Sequence, residues 1–201
     1  MGISVDKFKK VKDNSGYYAS WAIWREYYET MTPKEGIEDL SIFDDENKIV
    51  KEFNDKYVFV ALNGAEHDSE KRIWGNFHSS DKKRENDFKL RYALQGTKLW
   101  GSYITDFMLI TKTNSKEVIE EYNSLSQKEK ENNIKRLQNE IDIINKDAVI
   151  IAIGKDARKL IDESGEFKNN KIYDIPHYSA RNYNNKEDYK KDVSEIIKGI
   201  L

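Results

Sequence analysis

The sequence contains no cysteine. That absence excludes disulfides, thiolate nucleophiles and cysteine-based zinc sites together. Histidine is scarce too: His67, His78 and His177 lie in three separate stretches, and none forms a helical pair with ligand spacing. No metal site is therefore expected. No apolar run approaches membrane-spanning length, and the charged stretch Met1 to Asn14 has no apolar core of the kind a signal peptide needs. The expectation is a cytoplasmic protein with no membrane contact. There is no G-x-G-x-x-G, no P-loop and no G-x-S-x-G, which leaves nucleotide cofactors and serine hydrolysis unsupported. An excess of positive charge is also missing. Lys and Arg number 34 against 36 Asp and Glu, a net charge of −2, so any nucleic-acid contact must come from a local patch.

What the sequence does have is one organising apolar run. Tyr57-Val58-Phe59-Val60-Ala61-Leu62 has no alternating polar residue and stops abruptly at Asn63-Gly64. A strand apolar on both faces is buried on both faces, the usual state of a parallel sheet covered by helices. In such sheets ligands bind beyond the carboxyl ends of the strands, which makes Asn63-Gly64 the first place to look for chemistry. The competing reading is an ordinary turn, since Asn-Gly is a common turn pair.

Further strands are expected over Leu99 to Ile110, Ala148 to Ile153 and Lys171 to Ile175. Helices are expected around Asn47–Phe53, over Asn86–Gln95, Ser115–Leu125, Lys128–Asn145, Asp156–Ser164 and Tyr189–Leu201. Residues 1–15 read as a polar lead-in. Tyr17 to Thr30 carries Tyr17, Trp21, Trp24, Tyr27 and Tyr28 at 3–4 spacing, which predicts an amphipathic helix. Its aromatic stripe suits a core, with base stacking as the functional alternative. Four strands separated by helices indicate an α/β fold: three α/β/α layers around a central, mostly parallel, four-stranded sheet. The 201 residues suit a single domain with an N-terminal aromatic helical segment over about residues 1–55.

Three stretches stand out beside the Asn63-Gly64 corner. The long polar loop from Ala65 to Asp87 holds Trp74-Gly75-Asn76-Phe77-His78 and the basic run Lys82-Lys83-Arg84, and loops of that length are usually functional. Asp106 interrupts an apolar strand; it either serves the site or caps a nearby turn. The last strand leads into Pro176-His177-Tyr178-Ser179. Gly154-Lys155-Asp156, at a strand-to-helix turn, either binds an anion through helix amides or simply makes the turn.

In their order along residues 57–200, these pieces resemble the uracil-DNA glycosylase superfamily. That family carries one motif just after its first core strand, often Gly-x-Asn-Pro, and a second, His-Pro-Ser or similar, after its last. Here the first resembles Ala61-Leu62-Asn63-Gly64 and the second His177-Tyr178-Ser179, with Val149 to Ala157 similar to the penultimate strand and its glycine-led helix. Asp106 stands where relatives often have an Asn that reads the base edge. Proline is missing after Asn63, and Tyr178 replaces the proline after His177.

The resemblance implies N-glycosidic hydrolysis of a damaged or modified base flipped out of DNA, with no metal and no cofactor. Such a site must stabilise negative charge on the departing base and place a water beneath the sugar carbon. His177 and Asn63 are then the catalytic candidates, the first as hydrogen-bond donor to the base and the second holding water or nucleotide through its amide. Gly64, Trp74, Phe77, Asp106 and Ser179 become substrate-binding candidates, with Phe77 or Trp74 supplying an aromatic face. Lys82, Lys83, Arg84 and Arg181 are the phosphate candidates, with Lys186 nearby. Each has a structural alternative: His177 as a cap of the final helix region, Phe77 and Trp74 as core or loop anchors, His67 and His78 as surface residues. Two function classes stay open, a DNA glycosylase acting as a monomer on single- or double-stranded DNA, and a catalytically inactive module binding nucleic acid, nucleotide or protein through the same pocket; a nucleotide-processing hydrolase on a similar layered fold stands third behind them. The acidic balance favours the second slightly, because duplex affinity is built largely from phosphate contacts.

Overall fold

A computed structural model describes residues 2–64, 72–79, 86–110 and 114–200. Its strands are β1 (Ser20–Trp21), β2 (Asn54–Asn63), β3 (Ser102–Met108), β4 (Val149–Ile153) and β5 (Ile172–Ile175). Its helices are α1 (Val5–Ser15), α2 (Glu46–Ile49), α3 (Asp87–Leu94), α4 (Ser115–Ser124), α5 (Gln127–Asn145), α6 (Lys155–Ser164) and α7 (Lys186–Ile200). The sheet runs in the order β1-β3-β2-β4-β5, so the organising strand β2 lies at its centre. All pairings are parallel except β1 with β3.

The alternation along the strands sorts side chains into two cores. Val58, Val60, Leu62, Tyr103, Phe107, Ile150 and Ala152 face α1, α4, α5 and α6. Phe59, Ala61, Ile104, Ile151, Ile153 and Ile175 face α3 and α7. Both faces of the sheet are thus covered, as the unbroken apolar run of β2 requires. The α/β/α reading holds, with five strands rather than four.

The fifth strand comes from the stretch expected to be helical. Tyr17 to Thr30 forms no helix: Ser20–Trp21 pairs antiparallel with β3, and the chain then crosses the sheet edge. Trp21 stacks on Phe53 at 3.9 Å in one core, while Trp24 enters the other. Aromatics are good strand formers, and burying two indoles in opposite cores outweighs a helix that would keep both on one side. Both tryptophans are fully buried and belong to the core, whereas Tyr17 and Tyr28 at the two ends of the stretch are exposed. The lead-in is likewise structured. Ser4 caps α1, which buries Phe8, Val11 and Ser15 between its lysines.

A buried polar network fixes the end of β3. Glu140 on α5 accepts hydrogen bonds from Tyr103 (2.9 Å), Thr105 (2.8 Å) and Tyr18 (3.1 Å), and pairs with Arg136 at 2.6 Å. Arg136 also donates to the main-chain oxygens of Asp106 (2.8 Å) and Phe107 (2.7 Å). Burial and the nearby Glu140 push the Tyr18 phenol up to about 12, so it remains a donor. A buried network with this many hydrogen bonds holds a strand end in one position. Here the held segment carries Asp106.

Candidate functional site

The carboxyl ends of β2, β4 and β5 open into a cleft of about 570 Å³. Asn63 ends β2, Gly154 and Lys155 follow β4, and His177, Ser179 and Arg181 follow β5; all line this cleft. Parallel strands deliver these residues together because their loops emerge on one edge.

His177 has a defined protonation state. The main-chain N–H of Ser179 donates to its Nδ1 at 3.1 Å, so in the neutral ring the proton sits on Nε2. Burial pushes the imidazole down to about 4, against the opposing pull of the Asp156 carboxylate. At neutral pH the ring is therefore an uncharged donor. Its plane lies on Tyr178, with centroids 4.5 Å apart. Gly154 makes room for it. A Cβ there would come within 3.3 Å of His177 Cβ, and its φ of +91° disfavours any other residue.

Asn63 donates through its amide nitrogen to the oxygens of Gly64 (3.0 Å) and Ile110 (3.3 Å). Those contacts orient the side chain from two directions. The hydroxyl of Ser179 accepts from Asn86 at 3.2 Å, tying the β5 loop to the start of α3. Arg181 is exposed at the cleft.

Asp106 is not a turn cap. It is 1% exposed within β3, level with Ala61 on β2, and shares the α3–α7 side of the sheet with Asn63. Oδ2 accepts from Asn76 at 2.8 Å, and Asn76 is in turn held by the Tyr18 oxygen at 2.6 Å. Oδ1 has no hydrogen-bond partner among the described residues. Burial is the main cause that lifts this carboxyl to about 7, helped by the charges of Glu140 and Asp87 and opposed by Asn76 and Arg136. Gly64 adjoins it, for a Cβ on that glycine would lie 3.3 Å from Oδ2.

The two aromatic candidates take the anchoring role. Trp74 packs on Phe8 at 5.4 Å in the α1–α5 core, on the opposite side of the sheet from Asp106, so it offers no face for a base. Phe77 is buried on the Asp106 side, and its carbonyl accepts from the Trp24 indole at 3.0 Å. Both have positive φ, +63° and +64°, an uncommon conformation for bulky residues that marks a tightly constrained loop. His78 is fully buried rather than on the surface, and burial pushes it down to about 4. Lys186 does not line the cleft: it is buried at the start of α7, over the rings of Tyr27 and Tyr92. Lys82, Lys83, Arg84 and His67 lie outside the described residues.

Asn76 and Asp87 join the site without having been singled out in the sequence, and Lys155 and Asp156, read there as an anion-binding or plain turn, line the cleft. Asn76 sits between the two aromatics, and Lys155-Asp156 follow the Gly154 turn; only the fold brings them to the cleft or to Asp106. Among the described residues no group of three or more acidic or histidine side chains has a metal-binding arrangement.

The model of the family described as the Uracil DNA glycosylase superfamily matches residues 47–200. The chain belongs to the uracil DNA glycosylase superfamily. Its match begins at α2 and takes in β2 through α7, so every cleft residue described above lies within it. No curated protein matches the sequence. In this glycosylase-like protein the Asn63 corner follows the first core parallel strand and the His177 loop follows the last.

Proposed function

We propose that this protein is a DNA N-glycosylase that releases a damaged or modified base flipped from the helix. Membership in the superfamily supports glycosylase chemistry and DNA as partner. The observation that carries the reading is the shared cleft of Asn63 and His177, with the imidazole proton on Nε2.

The chemistry follows from those atoms. As the N-glycosidic bond lengthens, electron density moves onto the base, and Nε2–H of His177 donates to the base atom that receives it. A neutral donor suffices, because a preorganised hydrogen bond in a desolvated site is worth far more than in water. Asn63 is no base. Its amide nitrogen donates to main-chain oxygens, and a side-chain amide can orient a water by hydrogen bonding without taking its proton. Arg181 and Lys155 supply positive charge at the cleft for backbone phosphates, and the α6 N-terminus adds main-chain donors.

A panel of oligonucleotides bearing uracil, hypoxanthine, xanthine or alkylated bases tests this, with abasic-site formation as the readout. The expected result is abasic sites on at least one modified strand and none on unmodified DNA. No abasic sites on any member would refute the proposal.

A further inference from the structure

The surroundings of Asp106 are made of acceptors and negative charge. Asp106 is almost completely buried with Oδ1 unpartnered among the described residues, and Gly64 leaves its carboxyl bordering the Asn63 corner. Facing it from α3 is Asp87, which accepts from the Ser79 main chain at 3.0 Å and receives the Tyr178 hydroxyl. Tyr178, from the β5 loop, feels both carboxylates, and they and burial hold its phenol protonated. From across the sheet come Glu140 and Arg136, and Arg136 spends its hydrogen bonds on Glu140 and on main-chain oxygens. Asn76 is the one side chain that donates to the Asp106 carboxyl in the described structure.

A base edge brought from the cleft past Gly64 against this carboxyl would meet acceptors, an arrangement unsuited to uracil. Uracil presents two carbonyl oxygens and departs as an anion, so an ionised Asp106 sets lone pair against lone pair and charge against like charge. We infer that the cleft at the Asn63-Gly64 corner, which Asp106 adjoins, takes a base that carries positive charge and an amino or imino donor edge, an N-alkylated purine being the simplest chemical class. This rests on the glycosylase reading above. With such a base the bond from C1′ to the ring nitrogen breaks, and its electron pair cancels the positive charge of the base. Water adds its oxygen to C1′ and its proton passes to solvent. No anion forms on the leaving group, so neutral His177 need only orient it. The unpartnered Oδ1 gains a donor, and the negative charge of Asp87 and Asp106 is compensated.

Binding without turnover tests this separately from catalysis. The probes are duplexes carrying one non-cleavable 2′-fluoroarabino nucleotide, either N7-methylguanine or uracil, titrated by fluorescence anisotropy. At about pH 8, where Asp106 is ionised, the methylated duplex should bind roughly tenfold tighter or more, the worth of one charge-assisted hydrogen bond. The preference should shrink at about pH 6 as Asp106 takes up its proton. It should disappear in Asp106→Asn, while the wild-type pH series stands as the test should that variant fold poorly. Equal or tighter binding of uracil at the higher pH would overturn the inference, as would a preference that survives both Asp106→Asn and the pH change. Failure of both duplexes to bind better than unmodified DNA would overturn it too. Preferential binding without release of either base from ordinary deoxynucleotides would instead refute the glycosylase reading and leave the preference standing.

Discussion

The main-chain N–H of Ser179 meets Nδ1 of His177 at 3.1 Å, and that bond decides which nitrogen of the neutral imidazole carries the proton. It places the only ring proton of the neutral form on Nε2, while burial keeps the second proton off until about pH 4. The family motif usually has a proline between these residues. Here Tyr178 occupies that position, stacks on the imidazole and reaches Asp87 with its hydroxyl.

Asn63→Ala should lower single-turnover base release roughly a hundredfold or more, the scale of losing one positioned polar group. It should lower stability by only about 1 kcal/mol, since the lost bonds go to two main-chain oxygens in a partly exposed corner. Rapid-quench rates paired with urea melts check both. An unchanged rate would remove Asn63 from the mechanism.

Gly154→Ala should act on His177 rather than on the core. The new methyl would lie 3.3 Å from His177 Cβ, on a backbone with φ of +91°. The backbone strain alone should cost roughly 1–3 kcal/mol, since this extended positive-φ region is open essentially to glycine only. Base release should fall by more than the melt implies, because the imidazole must shift. A rate that merely tracks the folded fraction would contradict this.

Asp106 gives the pH dependence of stability a distinctive sign. Its carboxyl sits at about 7 in the fold against an ordinary 3.8, so the native state holds a proton that the unfolded chain has released. The stability it contributes is full below about pH 4 and lost as pH rises through about 7. His78 and His177, pushed down to about 4, run the other way and cost stability as pH falls from about 6.5. Asp106→Asn should therefore gain on the wild type as pH rises from about 4 to 7, by up to ~1.4 kcal/mol per pH unit. Parallel stability curves for the two proteins would show that Asp106 does not titrate in this window.

The same substitution should raise uracil release relative to release of bases with amino or imino donors. Asn offers both a donor and an acceptor, whereas an ionised Asp accepts only. Side-by-side single-turnover rates on uracil and a purine lesion check it. Brisk uracil release by the wild type at neutral pH, unchanged in Asp106→Asn, would sink the idea.

Much of the sheet was legible because β2 and β4 are apolar on both faces, a pattern that only double-sided burial explains. Asn63 and His177 were legible for a related reason: loops after parallel strands share one edge. The short β1 was not, because two residues carry no period, and the aromatic spacing around Trp21 and Trp24 fits a helix as well as a chain crossing between cores. Helix α1 was obscured by its lysines, with only Phe8 and Val11 marking the buried side. Trp74 among its polar neighbours fitted a base-stacking face as well as a core anchor; it is buried in the α1–α5 core on a backbone with positive φ, and no local pattern encodes that. Asp106 showed itself as an anomaly in an apolar strand; its partners Asn76 and Asp87 come from distant stretches, so only the fold reveals why it is there.

The most direct measurement is single-turnover base release by wild type and His177→Ala, on whichever modified oligonucleotide of the panel the wild type cleaves, with melts of both proteins. The account predicts abasic-site formation by the wild type and a loss of roughly a hundredfold or more in His177→Ala, with folding retained. Release at the wild-type rate by a folded His177→Ala would contradict it.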